Sequence, residues 1–299
     1  MTDISRRGLL RLSAATFTLA ATGLPVLAQQ IKDLVIAYNV NLPSWNPTVG
    51  SSAVNPTIQG IYQSVFDMFI AQDTDLSQRP GILTHWGWNA DKTKVEMTLR
   101  EGVTWHDGSP LTAEDVVWSL ERAADPETGN PIQFIWSTIG NYKIDGNQIT
   151  GDVLRFEPTI FKWMSFLTGY VLPKAYIEQV GQDGFEAAPI GSGPYRVEKY
   201  ERNAFIRLQA YDGYWGPAPE FKSVTIKFVT DSTARVAEVE SGNAHVTLEM
   251  PAEEFDRLRG GNLLGVAHPV SDIGMIFFND IDVMQDTNVR RAAVKAVNK

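Results

Sequence analysis

Residues 105–120, WHDGSPLTAEDVVWSL, bring together side chains that are able to do acid–base chemistry. His106, Asp107 and Ser109 are the residue types of a nucleophilic triad, and Glu114 and Asp115 add two carboxylates. Triads are assembled in space from distant segments, so sequence neighbours alone say little about one. Whether these side chains are catalytic therefore depends on the elements that carry them.

Those elements predict a structural role for the stretch. The preceding KVEMTL alternates apolar and polar residues, which indicates a half-buried strand, and DGSP is typical of a tight turn in which the Asp107 side chain bonds the backbone. Thr112 and Asp115 have the spacing of a capping box, and apolar residues recur at helical spacing from Ala113 to Ala124. Glu114 then lies in the first helical turn, where negative charge is favourable. We read strand, turn and capped helix rather than a catalytic site.

Other routes to catalysis are also absent from the sequence. A hydrolase of α/β fold would need a complete G-x-S-x-G elbow, which neither GSG at 191–193 nor VGSSA at 49–53 supplies. The glycines of the first segment also lack the Lys-Ser/Thr of a phosphate-binding loop, so we read them as turn residues. The sequence predicts no enzyme activity, no catalytic residue and no cofactor.

A dedicated metal cage is not expected either. The four histidines are widely spaced, with no pair at i and i+4, and the chain has no cysteine. They are His85, His106, His245 and His268. A chelated metal as a bound ligand stays open.

The first 28 residues have the composition of an export signal rather than of a fold. Arg6 and Arg7 precede an apolar run diluted by Ser, Thr and Gly, and Val26-Leu27-Ala28 fits a signal peptidase site. The twin arginines favour the twin-arginine route over the general secretory one. A membrane anchor is disfavoured because the run is short and is broken by Pro25.

The remaining chain is acidic and globular. The full 299-residue sequence is 43% hydrophobic and 20% charged, which is enough to bury a sizeable core. Residues 1–28 carry three arginines and one aspartate, a net +2, so removing them changes the formal charge from −9 to −11. That charge disfavours nucleic acid and anionic membranes as partners. An exported chain without a lipid-acceptor cysteine is placed most simply in a Gram-negative periplasm.

The second half of the chain predicts a mixed α/β domain. PYRVEKYERNAFIRLQAY alternates like a hairpin with a polar turn near 201–203. Residues 222–250 read as a strand, a helix from about Ser232 to Glu240, and a second strand. Such a strand-helix-strand unit is typical of mixed sheets covered by helices.

Five segments in order resemble the extracellular solute-binding proteins of peptide and nickel ABC importers, the oligopeptide- and dipeptide-binding family. They are LPSWNP, LREGVTWHDGSPLTAEDVVWSLERAADPETG, GSGPYRVEKY, YDGYWGPAPEFKSVTIKFVTDSTARVAEVESGNAHV and IGMIFFNDIDVMQDTNVRRAAVKAVN. The resemblance covers nearly all of residues 31–299. It departs slightly at SWNP, where Trp45 and Asn46 stand in place of the usual Leu and Asp.

The resemblance implies an α/β fold of the type II periplasmic binding protein kind, a mixed-sheet lobe with an inserted strand-rich subdomain. It places the core lobe in residues 31–50 and 185–270, the inserted subdomain in 51–184 and the start of a second lobe in 271–299. Family members are longer, so most of the second ligand lobe is expected to be missing and this chain to be truncated at its C-terminus.

The implied function is that of a monomeric periplasmic component of an ABC importer. It would capture peptides or small amine-bearing organic solutes between two lobes and deliver them to a permease and its ATPase. Sugar oligomers and chelated metals are lower-ranked ligands, and a sensor that docks a membrane receptor stays open. Carried over by position, the ligand would pair with backbone groups at Ser51 and Ala53 and lie near Ile132, with Phe134 and Trp136 as alternate neighbours facing the same cleft.

Overall fold

The computed structural model describes residues 32–259, 263 and 285–296. These residues form two compact units, one ending at Glu249 and the other beginning at Met250. The expected signal at 1–28 and most of the expected second-lobe segment at 271–299 lie outside the described residues. Within the described part, no helix is both long and apolar enough to cross a membrane.

The first unit contains all of the strands described here. They are β1 (Asp33–Tyr38), β2 (Ala71–Gln72), β3 (Gln78–Arg79), β4 (Leu83–Trp88), β5 (Lys94–Leu99), β6 (Ile139–Asp145), β7 (Gln148–Val153), β8 (Tyr195–Glu201), β9 (Phe205–Ala210), β10 (Ser223–Phe228) and β11 (Val246–Thr247). Its helices are α1 (Gln59–Val65), α2 (Ala113–Ala124), α3 (Gln133–Trp136), α4 (Ile160–Trp163), α5 (Lys174–Ala187) and α6 (Ser232–Glu240). The second unit contributes α7 (Ala252–Arg259) and α8 (Thr287–Ala296).

The larger sheet has the order β11-β1-β10-β9-β8 and is mixed. Strand β1 runs parallel to β10 and β11, whereas β9 is antiparallel to both β10 and β8. The predicted hairpin is β8–β9, and the predicted helix at Ser232–Glu240 is α6, capped by the Asp231 side chain. The mixed sheet predicted for the core lobe is confirmed.

The second sheet has the order β4-β5-β7-β6 and is antiparallel throughout. Val95, Met97 and Leu99 point into its core, as their alternation predicted. Helix α2 covers this core with Val116 and Leu120, and its start carries the predicted capping box of Thr112 and Asp115. Two hydrogen bonds from Ser109 to the Asp107 carboxylate close the predicted turn.

The two hydrophobic cores of the first unit do not follow the expected domain boundaries. Helices α1 and α5 pack with the mixed sheet, although α1 and most of α5 lie within the expected subdomain at 51–184. Their apolar faces cover that sheet, which would otherwise expose its hydrophobic side chains. The chain crosses between the two cores along residues 67–70 and returns along 169–172, and these segments lie antiparallel, with Phe69 N–H 3.0 Å from the Gly169 carbonyl oxygen. Residues 250–259, expected in the core lobe, fall in the second unit.

Candidate functional site

Residues 44–54, here called loop A, carry the first two predicted ligand contacts. Gly50 adopts a left-handed φ of 70°, and Ser51–Val54 then form a single 3-10 turn. The Ala53 N–H donates to the Gly50 carbonyl (3.3 Å), and the Ala53 carbonyl accepts from Gln59 Nε2 (3.3 Å). Because Ala53 is also fully buried, the structure does not present its backbone as a free edge for an extended ligand. Ser51 is exposed and remains a predicted contact.

Residues 125–134, here called loop B, carry the predicted contacts Ile132 and Phe134, and the predicted contact Trp136 follows directly. Gln133–Trp136 form one turn of helix, so side chains two apart do not share a face as they would in a strand. Phe134 is 57% exposed, whereas Trp136 is 1% exposed and donates its indole N–H to Thr168 Oγ1 at 2.8 Å. The structure thus moves Trp136 from the expected cleft into the core. Ile132 is partly buried and, with Phe134, remains a predicted contact.

The two loops lie side by side. The Gly50 N–H donates to the Gly129 carbonyl at 3.2 Å, where Gly129 adopts a left-handed φ of 75°. Loop B is fixed in turn by Asn130, which accepts from the Ile132 N–H (3.1 Å) and donates to the Ala123 carbonyl (3.0 Å). The fold therefore brings Ser51, Ile132 and Phe134, far apart in sequence, onto adjacent loops.

His106 holds the backbone of residues 191–193 rather than a substrate. Its Nδ1 accepts from the Gly191 N–H (3.1 Å), so its protonated Nε2 donates to the Gly193 carbonyl (3.0 Å). Burial lowers the pKa of His106 from 6.5 to about 4, although the bond to Gly193 opposes this change. Among nearby charges, Arg196 lowers the pKa further and Asp107 raises it. His106 is a neutral structural clamp, which agrees with the non-catalytic interpretation of the stretch.

Gly191 and Gly193 are required by close approach rather than by a turn alone. A Cβ at Gly191 would lie 2.0 Å from the Val65 carbonyl oxygen, and one at Gly193 would lie 2.7 Å from the Val65 carbonyl carbon. The Gly193 N–H donates to that same Val65 carbonyl at 2.9 Å. Residues 191–193 are thus packed directly against the end of α1.

Asp67 is the second buried ionisable group at the crossing. Its Oδ2 accepts from Ser192 Oγ and from the indole N–H of Trp215, both at 2.9 Å. Burial raises the pKa of Asp67 to about 6, although these two bonds and the nearby Arg100 and Arg79 lower it. The carboxylate lies at a cavity of about 410 Å³ that is also lined by Gln63, Arg79 and Tyr214. Its hydrogen bonds with Ser192 and Trp215 tie the crossing at residues 67–70 to two later parts of the chain.

The histidines do not assemble a metal site in the part of the chain that the structure describes, where no group of three or more His, Asp or Glu side chains could hold an ion. His106 Nδ1 accepts from the Gly191 N–H, and His245 Nδ1 accepts from the Val35 N–H at 2.9 Å. His268 lies outside the described residues.

Glu186 and Gln182 on α5 make contacts with loop A that the sequence did not reveal. The Glu186 carboxylate accepts from Ser44 Oγ and from the backbone N–H groups of Trp45 (2.6 Å) and Asn46 (3.2 Å). No local pattern in the sequence indicates these hydrogen bonds, because Trp45 and Glu186 are 141 positions apart.

Comparison with known proteins identifies the fold and the family. The model of bacterial extracellular solute-binding proteins, family 5, middle region, matches residues 77–299. The dipeptide-binding protein of Escherichia coli K12 is 24% identical over 99% of this chain and 59% of its own length. The glutathione-binding protein GsiB of Salmonella typhi is 28% identical over 84% of this chain and 50% of its own length.

A solved structure shows the same fold. The binding protein MoaA of A. tumefaciens R10, solved with mannopinic acid, has a TM-score of 0.71 at 22% identity, covering 77% of this chain and 48% of its own. The expected type II periplasmic binding protein fold is confirmed, and the chain spans about half to three fifths of the length of these relatives. The match over residues 77–299 places this chain in family 5 of the bacterial extracellular solute-binding proteins.

Proposed function

We propose that this chain carries one wall of the ligand cleft of an ABC importer's solute-binding protein. The protein captures peptides or small amine-bearing organic solutes and delivers them to a permease that is powered by an ATPase. The observation that carries this proposal is the Gly50–Gly129 hydrogen bond, which joins the two loops on which family resemblance places ligand contacts. Exposed Ser51 and Phe134 then lie on one pair of loops, with the side chain of Ile132 beside them.

Three relatives guide the choice of probes. Calorimetric titration of the protein expressed from the whole gene would use a dipeptide such as Ala-Phe, glutathione and mannopinic acid, with nickel–histidine chelate as a fourth probe. We expect at least one of the first three to bind with a Kd of micromolar or below, and Phe134→Ala to weaken it. Tight binding of the nickel chelate alone would replace the peptide and amine proposal, and binding of none would refute it.

A binding protein of an importer differs from an enzyme in that it does not convert its ligand. The ligand should be recovered unchanged after prolonged incubation with the protein, because the one histidine of the WHDG turn is engaged with backbone on both ring nitrogens. Conversion of the ligand that disappears in His106→Ala would restore a catalytic role. In a reconstituted system, the liganded protein should stimulate ATP hydrolysis by the permease complex of its importer.

Export by the twin-arginine route is proposed on the sequence of residues 1–28. Replacing Arg6 and Arg7 with lysine should retain the precursor in the cytoplasm, since this route reads the arginine pair itself. Cell fractionation tests this, with Arg11→Lys as the matched control. Continued export of the double variant would assign the general secretory route instead.

A further inference from the structure

The glutamate of α5 holds the beginning of loop A through three donors. Glu186 accepts from the Ser44 hydroxyl and from two successive backbone N–H groups, those of Trp45 (2.6 Å) and Asn46 (3.2 Å). Hydrogen bonds to an ionised acceptor are shorter and stronger than neutral ones. One carboxylate therefore fixes the path of three consecutive residues.

The glutamine one turn earlier extends this contact towards α2. Gln182 Oε1 accepts from Asn46 Nδ2 (3.2 Å) and from Arg122 Nη2 (3.0 Å). Asn46 Oδ1 in turn accepts from the N–H (3.0 Å) and the hydroxyl (2.8 Å) of Thr48. Loop A is thus anchored from Ser44 to Thr48, immediately before the exposed Ser51.

Loop B is connected to the same residues. The Arg122 carbonyl accepts from Thr128 Oγ1 at 2.9 Å, and the Gly129 carbonyl accepts from the Gly50 N–H at 3.2 Å. A closed circuit of hydrogen bonds therefore runs from α5 through both loops and back through α2. Changing one member should displace the loops relative to each other.

A break in α5 at Gly181 sets the direction of residues 182–187, which contact loop A. Gly181 has φ 71° and ψ 177°, a conformation that is essentially reserved for glycine, and no atom lies within 4 Å of a Cβ built there. The requirement is thus for the backbone conformation rather than for space. Residues 182–187 continue as helix in a new direction, and both Gln182 and Glu186 lie on this continuation.

We propose that Glu186 and Gln182 are positioning residues of the ligand cleft, which hold loops A and B in the arrangement that binds solute. The consequence for affinity rests on the proposed function, whereas the positioning itself does not. Glutamine at position 186 would offer one acceptor oxygen and would turn an NH₂ group towards backbone N–H donors. Glu186→Gln should therefore be nearly as disruptive as removal of the side chain.

The test measures amide hydrogen exchange of loop A in the protein expressed from the whole gene. In Glu186→Gln, the amides of Trp45 and Asn46 should exchange about tenfold faster or more, as expected for loss of charged hydrogen bonds. Glu178→Gln is the matched control, because Glu178 is exposed on the same helix and the charge change is identical. Asn46→Asp, which replaces the amide donor to Gln182 with a charged oxygen acceptor, is the second variant and should speed exchange at residues 46–50.

The second measurement is the affinity for the dipeptide, glutathione and mannopinic acid probes. A purely structural role of Glu186 would leave this affinity unchanged in variants of equal stability. Among variants whose thermal midpoints match that of Glu178→Gln, we expect affinity for the bound probe to fall about tenfold in Glu186→Gln. Unchanged exchange at Trp45 and Asn46 would overturn the proposal, as would faster exchange with unchanged affinity. If the unmodified protein binds no probe, the proposed function fails, and the exchange rates still decide whether Glu186 and Gln182 position the loops.

Discussion

The His106 clamp makes a quantitative prediction about acid stability. Burial lowers the His106 pKa to about 4 in the folded protein, while the unfolded chain has the ordinary value of 6.5. The unfolded state therefore takes up the proton first as pH falls, and stability is lost between pH 6.5 and 4. A pKa that differs by one between the folded and unfolded states corresponds to about 1.4 kcal/mol, so this one group should cost the fold about 3 kcal/mol between pH 7 and pH 4.

Asp67 acts in the opposite direction over nearly the same range. Its pKa is raised to about 6 in the fold against 3.8 unfolded, so the folded state takes up the proton first and gains stability as pH falls from 6 to 3.8. The same conversion gives a gain of about 2 kcal/mol between pH 7 and pH 4. The two crossing groups largely offset each other, and their effects become visible only when one is removed.

Urea denaturation of His106→Gln and the unmodified protein at pH 7, 5.5 and 4 isolates the histidine, because contributions from all other groups cancel in the difference. At pH 7 the variant should be less stable by about 1–3 kcal/mol, the usual effect of disturbing buried hydrogen bonds. Lowering the pH to 4 should change the difference by about 3 kcal/mol in favour of the variant.

The exposed His85 provides the matched control, since His85→Gln removes the same titratable group from a solvated strand position. A pH-independent difference between His106→Gln and the unmodified protein would refute the reasoning. It would mean that His106 titrates alike in the folded and unfolded states and is not a buried neutral clamp.

Three further predictions concern the same unit. Asp67→Asn should lose stability relative to the unmodified protein by about 2 kcal/mol more at pH 4 than at pH 7, and a pH-independent difference in urea denaturation would contradict the raised pKa. Thr112→Ala should cost about 0.5–2 kcal/mol through loss of the α2 cap, with ligand selectivity unaltered in a parallel titration; altered selectivity at full stability would contradict a purely capping role. Gly191→Ala should cost about 3 kcal/mol or more by thermal or urea denaturation, because its Cβ would overlap the Val65 carbonyl, and a near-native midpoint would show that the crossing can yield.

Sequence alone determined the features that depend on neighbours within a few positions. The partners of the capping box are three positions apart, and the alternation of β5 has a period of two. Interactions of this kind depend only on residues that are close together in the sequence. The mixed sheet and the strand-rich subdomain followed from the order of such elements and from the family resemblance.

Only the tertiary structure decided which of the expected ligand contacts are buried and which are exposed. Trp136 is buried because residues 133–136 form a helical turn that packs against the second sheet. The backbone of Ala53 is not free for a ligand because its N–H is hydrogen-bonded within its own turn. The partners of Asp67 are 125 and 148 positions away, and Glu186 lies 141 positions from Trp45. Hydrogen bonds over such separations leave no periodic or spacing signal in the sequence, because they exist only after two cores have packed and the chain has crossed between them.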